Sequence, residues 1–160
     1  MRIAVLSDTH IPINADDLPE KVYEGIKDVD MILHAGDLVE LDVLDRLSKF
    51  APVRAVCGNM DSDKAYLKLP KKDIIKIGPV SLGLIHGWGP PLDLPEMVSR
   101  EFRGVDAIIF GHSHHPLSEI KDGVLFFNPG SPTDKVFAPY NSYGIFEIEG
   151  KKITPMVIRI

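Results

Sequence analysis

The chain has 160 residues, 23 Asp and Glu against 18 Lys and Arg, a formal charge of −5 and a single cysteine. That length fits one domain over residues 1–160, and a composition 44% hydrophobic and 26% charged suits a chain that buries its own core. No apolar run reaches the roughly 18 residues of a membrane span. The lone Cys57 excludes an internal disulfide framework and points to a reducing, cytoplasmic setting. The acidic balance, without a Lys/Arg block, argues against a strong grip on nucleic acid.

Apolar runs alternate with amphipathic stretches from the start. Arg2–Leu6 reads as a buried strand ending at Ser7-Asp8-Thr9-His10, and Pro19 opens a helix to about Lys27. Asp30–Ala35 is a second strand, Asp42–Lys49 a second helix with leucines at helical spacing, and Val53–Cys57 a third strand. This β-α-β-α-β order predicts parallel strands with right-handed crossovers. Met60–Lys72 reads as irregular and exposed.

Beyond it, Ile74–Ile77 and Val80–Ile85 flank Gly78-Pro79 as a hairpin, and a helix near Leu94–Phe102 leads to a strand at Asp106–Phe110. Two further hairpins follow, Leu117–Ile120 with Val124–Phe127 and Tyr143–Ile148 with Ile153–Ile158, separated by an exposed loop at Pro132–Asn141. Parallel units followed by antiparallel hairpins predict a mixed α/β fold, with two facing sheets and helices outside.

Five of these strands end in a polar cluster beside a Gly or a tight turn: Ser7-Asp8-Thr9-His10, Gly36-Asp37, Gly58-Asn59, His86-Gly87 and Gly111-His112-Ser113-His114. Ligands of open α/β sheets bind outside the carboxyl ends of the strands. If the five strands share a sheet, Asp8, His10, Asp37, Asn59, His86, His112 and His114 converge on one rim. On extended strand ends, residues i and i+2 face the same way, which would aim Asp8 with His10, and His112 with His114, into one cavity. Imidazoles with carboxylates suit Mn, Fe, Co, Ni or Zn, and seven side chains suffice for two ions sharing one carboxylate. Taken singly, each of these residues could equally be a cap, a turn residue or a packed histidine.

In this order the five clusters resemble the motifs of the calcineurin-like metallophosphoesterases. The compact length and Asn128-Pro129-Gly130-Ser131-Pro132 are similar to the small phosphodiesterase branch. The resemblance implies a four-layer αββα sandwich. It also implies two divalent ions, manganese foremost, with nickel, iron, cobalt or zinc as alternatives. Asp8, His10, Asp37 and His114 would bind one ion and Asp37, Asn59, His86 and His112 the other, with Asp37 as the bridge. A hydroxide between the ions would then attack phosphorus in line. The substrate would be a small phosphodiester or nucleotide-type ester, touched by Asn59, His115, Gly130 and Ser131, and a homo-oligomer would fit family analogy.

One departure stands out: Met60 occupies the place where many members carry a His that protonates the leaving group. A thioether donates no proton, so Asp61 or a water would have to substitute, and esters needing little acid help are favoured. His34, inside the second strand, is either a partner that orients a ligand or a packed, hydrogen-bonded histidine. His115 reads equally as a solvated turn residue. Trp88 would line a substrate entrance, and Cys57 reads as an inert buried thiol. Two other readings compete: a non-catalytic scaffold of the Vps29 type, and a phosphomonoesterase or nucleotide pyrophosphatase on the same metals.

Overall fold

The computed structural model describes all residues from Met1 to Ile160. Strands β1 (Arg2–Leu6), β2 (Met31–His34) and β3 (Val53–Ala55) are joined by helices α1 (Glu20–Gly25) and α2 (Asp42–Leu47). After β3 come α3 (Asp63–Lys68), the hairpin β4 (Lys72–Ile77) and β5 (Val80–Ile85), and α4 (Leu94–Ser99). Then follow β6 (Ala107–Ile109), the hairpin β7 (Leu117–Lys121) and β8 (Val124–Asn128), and the hairpin β9 (Ser142–Glu149) and β10 (Lys152–Arg159). Two five-stranded sheets result, ordered β10-β9-β1-β2-β3 and β4-β5-β6-β8-β7. No helix is long and apolar enough to cross a membrane.

Three separate apolar layers define the stacking. In β1 the odd residues Ile3 and Val5 meet Leu82, Leu84 and Ile109 of the second sheet. The even residues Ala4 and Leu6 turn the other way onto Val22, Val43, Leu47 and Ala65 of α1, α2 and α3. Ile85, Ile108 and Phe126 on the outer face of the second sheet pack under Leu94 and Val98 of α4. The period-2 alternation of strand side chains therefore feeds one core between the sheets and one beneath each helical layer. This is the mixed α/β, four-layer αββα architecture expected above.

Two expectations change. Met60–Lys72 is not irregular: Asp63–Lys68 is helical, capped by Ser62, whose Oγ accepts from the Ala65 amide at 3.4 Å, and Lys72 already belongs to β4. Only Ala65 of this helix is buried, so the hydrophobic signal was thin, and the Ser cap was the readable mark. The loop at Pro132–Asn141 lacks regular structure, but Pro132, Thr133 and Asp134 are buried.

The five strands that carry the polar clusters do not share one sheet. The first sheet holds β1, β2 and β3 in parallel register, Leu6 opposite His34 and His34 opposite Ala55. The second holds β5 and β6, also parallel, with Leu84 opposite Ile109. Both sheets deliver their carboxyl ends to the same rim. Backbone bonds stitch it within each sheet, with the Asp8 amide on Gly36 O and the Gly111 amide on His86 O, each at 3.0 Å. The His112 amide, donating to Asp8 Oδ2 at 3.1 Å, joins one sheet to the other.

Candidate metal centre

All seven predicted ligands reach this rim, though not on extended backbone. Asp8, His10, Asp37, His112 and His114 have φ of 53°, 42°, 55°, 69° and 59°, in the left-handed region. Asp, Asn and His tolerate that region better than most residues, at a cost of about 1–3 kcal/mol each. The i, i+2 argument from extended strand ends therefore does not describe how these side chains converge. They are turned inward by tight loops, held in place by bonds such as His10 N to Asp37 O at 3.0 Å. Close approach sets the glycines: a methyl on Gly58 would overlap the Asp37 carboxylate, and one on Gly111 would lie 2.6 Å from Asp8 Oδ2.

Two groups of donor atoms result, Asp8 with His10 and His114, and Asp8 with Asp37 and His86. In the first, His10 Nε2 and His114 Nε2 stand 3.2 Å apart, and Asp8 Oδ1 is 3.4 Å from His114. In the second, Asp37 Oδ2 is 3.2 Å from His86 Nε2. The same oxygen lies 3.8 Å from His10 Nε2, so it stands between a histidine of each group. Asp8 and Asp37 are almost wholly buried. Two carboxylates packed against buried imidazoles require positive charge between them.

Outer contacts fix which ring nitrogen faces inward. His86 donates from Nδ1 to Ala35 O at 2.8 Å, which leaves its buried Nε2 facing Asp37 Oδ2. His112 donates from Nε2 to Gly89 O at 3.1 Å, which turns the Nδ1 lone pair toward Asn59 Oδ1, also 3.1 Å away. Buried carboxylates faced by imidazole nitrogens, with the His112 lone pair opposite Asn59 Oδ1, make a donor set that fits divalent metal. His114 donates from Nδ1 to Asp134 Oδ2 at 2.5 Å.

Titration behaviour follows these contacts. Burial pulls His86 and His114 down, but facing carboxylates outweigh it and hold both at about 9: Asp37 and Asp8 for His86, Asp8 and Asp134 for His114. Burial raises Asp134, yet the His114 bond and the Val136 and Ala138 amides bring it to about 2. His10 and His112 are lowered, chiefly by burial. Asp37 is lowered because His86, His10 and the Met60 amide together outweigh burial.

Several predicted residues have other work. Asp61 accepts from the Gly58 amide at 2.7 Å and the Asp37 amide at 3.3 Å on one oxygen, and from the Val39 amide at 2.6 Å on the other. Both oxygens are engaged as acceptors, so Asp61 ties two of these loops together, while burial raises its pKa above the usual carboxylate range. Ser131 is fully buried, and its hydroxyl donates to Asp8 O at 2.7 Å. The buried Gly130 gives its amide to Asn128 Oδ1 at 2.9 Å. Ser131 thus braces the Asp8 loop, and neither residue lines the cavity above the rim. His115 is exposed on the rim, its Nδ1 donating to Ser113 O at 2.7 Å.

His34 is fully buried. It accepts the Gly36 amide on Nδ1 at 3.2 Å, which leaves the proton on Nε2 to donate to Thr9 Oγ1 at 3.1 Å. It touches no ligand atom but links the residues beside Asp8 and His10 to those beside Asp37. The residue the sequence did not disclose is Asp134. It lies in an irregular loop with no periodicity or motif, and only the general pairing of ligand histidines with carboxylates could have suggested it.

Above the rim opens a cavity of about 480 Å³, lined by His10, Asp37, Asn59, His112 and His114 and walled by Ile13, Met60, Val136 and Phe137. No Lys or Arg lines it.

The chain matches the family model for the calcineurin-like phosphoesterase superfamily domain over residues 1–151. It is 41% identical over 164 residues to a "Probable metallophosphoesterase" of Methanothermobacter thermautotrophicus, covering 99% of this chain and 92% of that one. Among solved structures, one described as a novel archaeal phosphodiesterase aligns with a TM-score of 0.75 at 25% identity, over 99% of this chain and all of the other. Vps29 from Entamoeba histolytica, solved with zinc, aligns at 0.80 and 25% identity, over all of this chain and 98% of that one. The chain belongs to the calcineurin-like phosphoesterase superfamily.

Proposed function

We propose that the protein is a metal-dependent phosphodiesterase that cleaves a P–O ester by in-line attack of water. The observation that carries the diester preference is the charge of the cavity. It holds two carboxylates, Asp37 and Asp134, and no Lys or Arg. A phosphomonoester dianion would need cationic side chains beyond the metals, whereas a diester carries a single negative charge. The apolar walls at Ile13, Met60, Val136 and Phe137 suit an uncharged second ester group.

Asp8, His10, Asp37 and His114 would hold one divalent ion, and Asp37, Asn59, His86 and His112 the other. Asp37 is taken as the bridge on the family resemblance; its Oδ2 lies 3.8 Å from His10 and 3.2 Å from His86, and Asp8 Oδ1 likewise lies within 3.9 Å of a histidine of each group. Two such ions supply a water nucleophile at neutral pH and neutralise charge developing on the phosphoryl oxygens. The chain's own contribution is orientation. Ala35 O, Gly89 O and Asp134 hold three imidazoles with their donor nitrogens inward. Met60 stands on the cavity wall where a proton donor would be useful, and both oxygens of Asp61 accept amides, so little acid help reaches the leaving group. Aryl and other good leaving groups are therefore preferred.

A chromogenic aryl phosphodiester, compared with the matching monoester, tests this reading with Mn²⁺ or Ni²⁺ and again with chelator. Metal-dependent turnover favouring the diester supports it. Absence of bound metal and of any added-metal activity would favour a Vps29-like scaffold, a reading kept open by the likeness to Vps29 and by the exposed Ile13, Val136 and Phe137 on the rim.

A further inference from the structure

A second cavity, of about 360 Å³, adjoins the metal rim. Cys57, Gly58 and His86 form part of its wall, and Asn59 lines both cavities. Its character differs from that of the first. Tyr66 and Trp88 line it, each about half exposed, and so do Lys71 and Lys72. Lys72 is engaged, its Nζ 2.8 Å from Glu101 Oε2. Lys71 is exposed and forms no ion pair, and its Nζ stands 5.8 Å from the centre of the Tyr66 ring.

The geometry points to this cavity as a subsite for the nucleoside portion of a nucleotidyl ester whose phosphorus sits over the metal rim. The proposal rests on the phosphodiesterase reading and narrows its substrate class. A volume above about 300 Å³ is that of a small-molecule pocket. Aromatic faces at Tyr66 and Trp88 offer stacking to a base. The Lys71 ammonium, which forms no ion pair, meets the oxygen and nitrogen acceptors of a base or ribose, while no Lys or Arg lines the first cavity. Sharing Asn59, the two cavities admit one phosphoester with its substituents on either side.

Trp88 is the only tryptophan in the chain, so its fluorescence reports on this cavity directly. Adenosine 5′-monophosphate titrated into the Mn²⁺-loaded protein should quench it saturably and bind more tightly than inorganic phosphate. Lys71→Ala and Tyr66→Leu should each shrink that preference at least about fivefold, the size of one lost stacking or cation contact. Equal binding of the two probes, or a preference that both substitutions leave intact, overturns the subsite. The kinetic arm compares the p-nitrophenyl ester of adenosine 5′-monophosphate with methyl p-nitrophenyl phosphate, which share a leaving group. The ratio of their kcat/KM should exceed one and fall in both variants. If neither ester is hydrolysed while the AMP preference survives, the phosphodiesterase reading falls and the subsite stands.

Discussion

Asp134 Oδ2 accepts the Nδ1 proton of His114 across 2.5 Å, and the same carboxylate collects the amides of Val136, Phe137 and Ala138. Asp134 thus fixes the tautomer of a ligand histidine from a loop that would otherwise have no bearing on the metal rim. Partners of this kind are typically worth about 10–100-fold in metal affinity. Asp134→Asn is expected to weaken metal binding by that order, read by competition with a chromogenic chelator. An affinity within twofold of wild type would mean that Asp134 only shapes its own loop.

Asp37 Oδ2 lies near His10 and His86 at once, and Asp37 Oδ1 accepts the Met60 amide at 2.7 Å. Asp37→Asn keeps the shape and removes the charge. Turnover of an aryl phosphodiester should be lost while the circular dichroism spectrum is unchanged. Wild-type activity in this variant would refute the placement of Asp37 between two ions.

Gly58 gives a purely steric test. A methyl group there would overlap the Asp37 carboxylate and its amide. Gly58→Ala should therefore displace one ligand loop, costing about 1–3 kcal/mol as local overpacking. It should also lower metal occupancy, measured by elemental analysis of the purified protein. Full occupancy with unaltered stability would show that the loop relaxes freely.

Burial pushes His34 down to about 4, and the neighbouring Asp8 does not recover it. The folded state therefore resists protonation that the unfolded chain accepts near 6.5. The sign is that of a depressed pKa: the contribution is intact above about 6.5 and is lost as pH falls from there toward 4. His34→Gln keeps a polar side chain but does not titrate. In chelator, the urea midpoint of wild type should fall more steeply across this window than that of the variant. Parallel curves would place the acid sensitivity elsewhere.

Met60 stands where a proton donor would be useful, and both oxygens of Asp61 accept amides, so acid help to a departing alkoxide is expected to be weak. General acid help is worth about 10²–10⁴ in rate. Turnover should accordingly depend steeply on leaving-group pKa, measured as a linear free-energy plot across substituted aryl esters. A flat plot would reveal a proton donor at the site.

The sequence by itself determined the elements and the ligand types. Apolar runs such as Arg2–Leu6 and the helical leucines of Asp42–Leu47 are local patterns, and the polar clusters follow each strand directly in the chain. Hence the seven candidate ligands could be named from order and residue type, and the fold brings them to one rim. The helix Asp63–Lys68 was not, because it buries only Ala65 and offers little periodicity.

Only the tertiary structure decided that the ligand-bearing strands split between two sheets and still share a rim. It also set the left-handed backbone that turns five of the ligands inward. It assigned Asp61 and Ser131 to holding loops and recruited Asp134 to His114. These relationships join residues many positions apart through packing of one sheet on the other. They rest on which buried donors and acceptors must find partners once the core closes, and a chain read residue by residue carries no record of that.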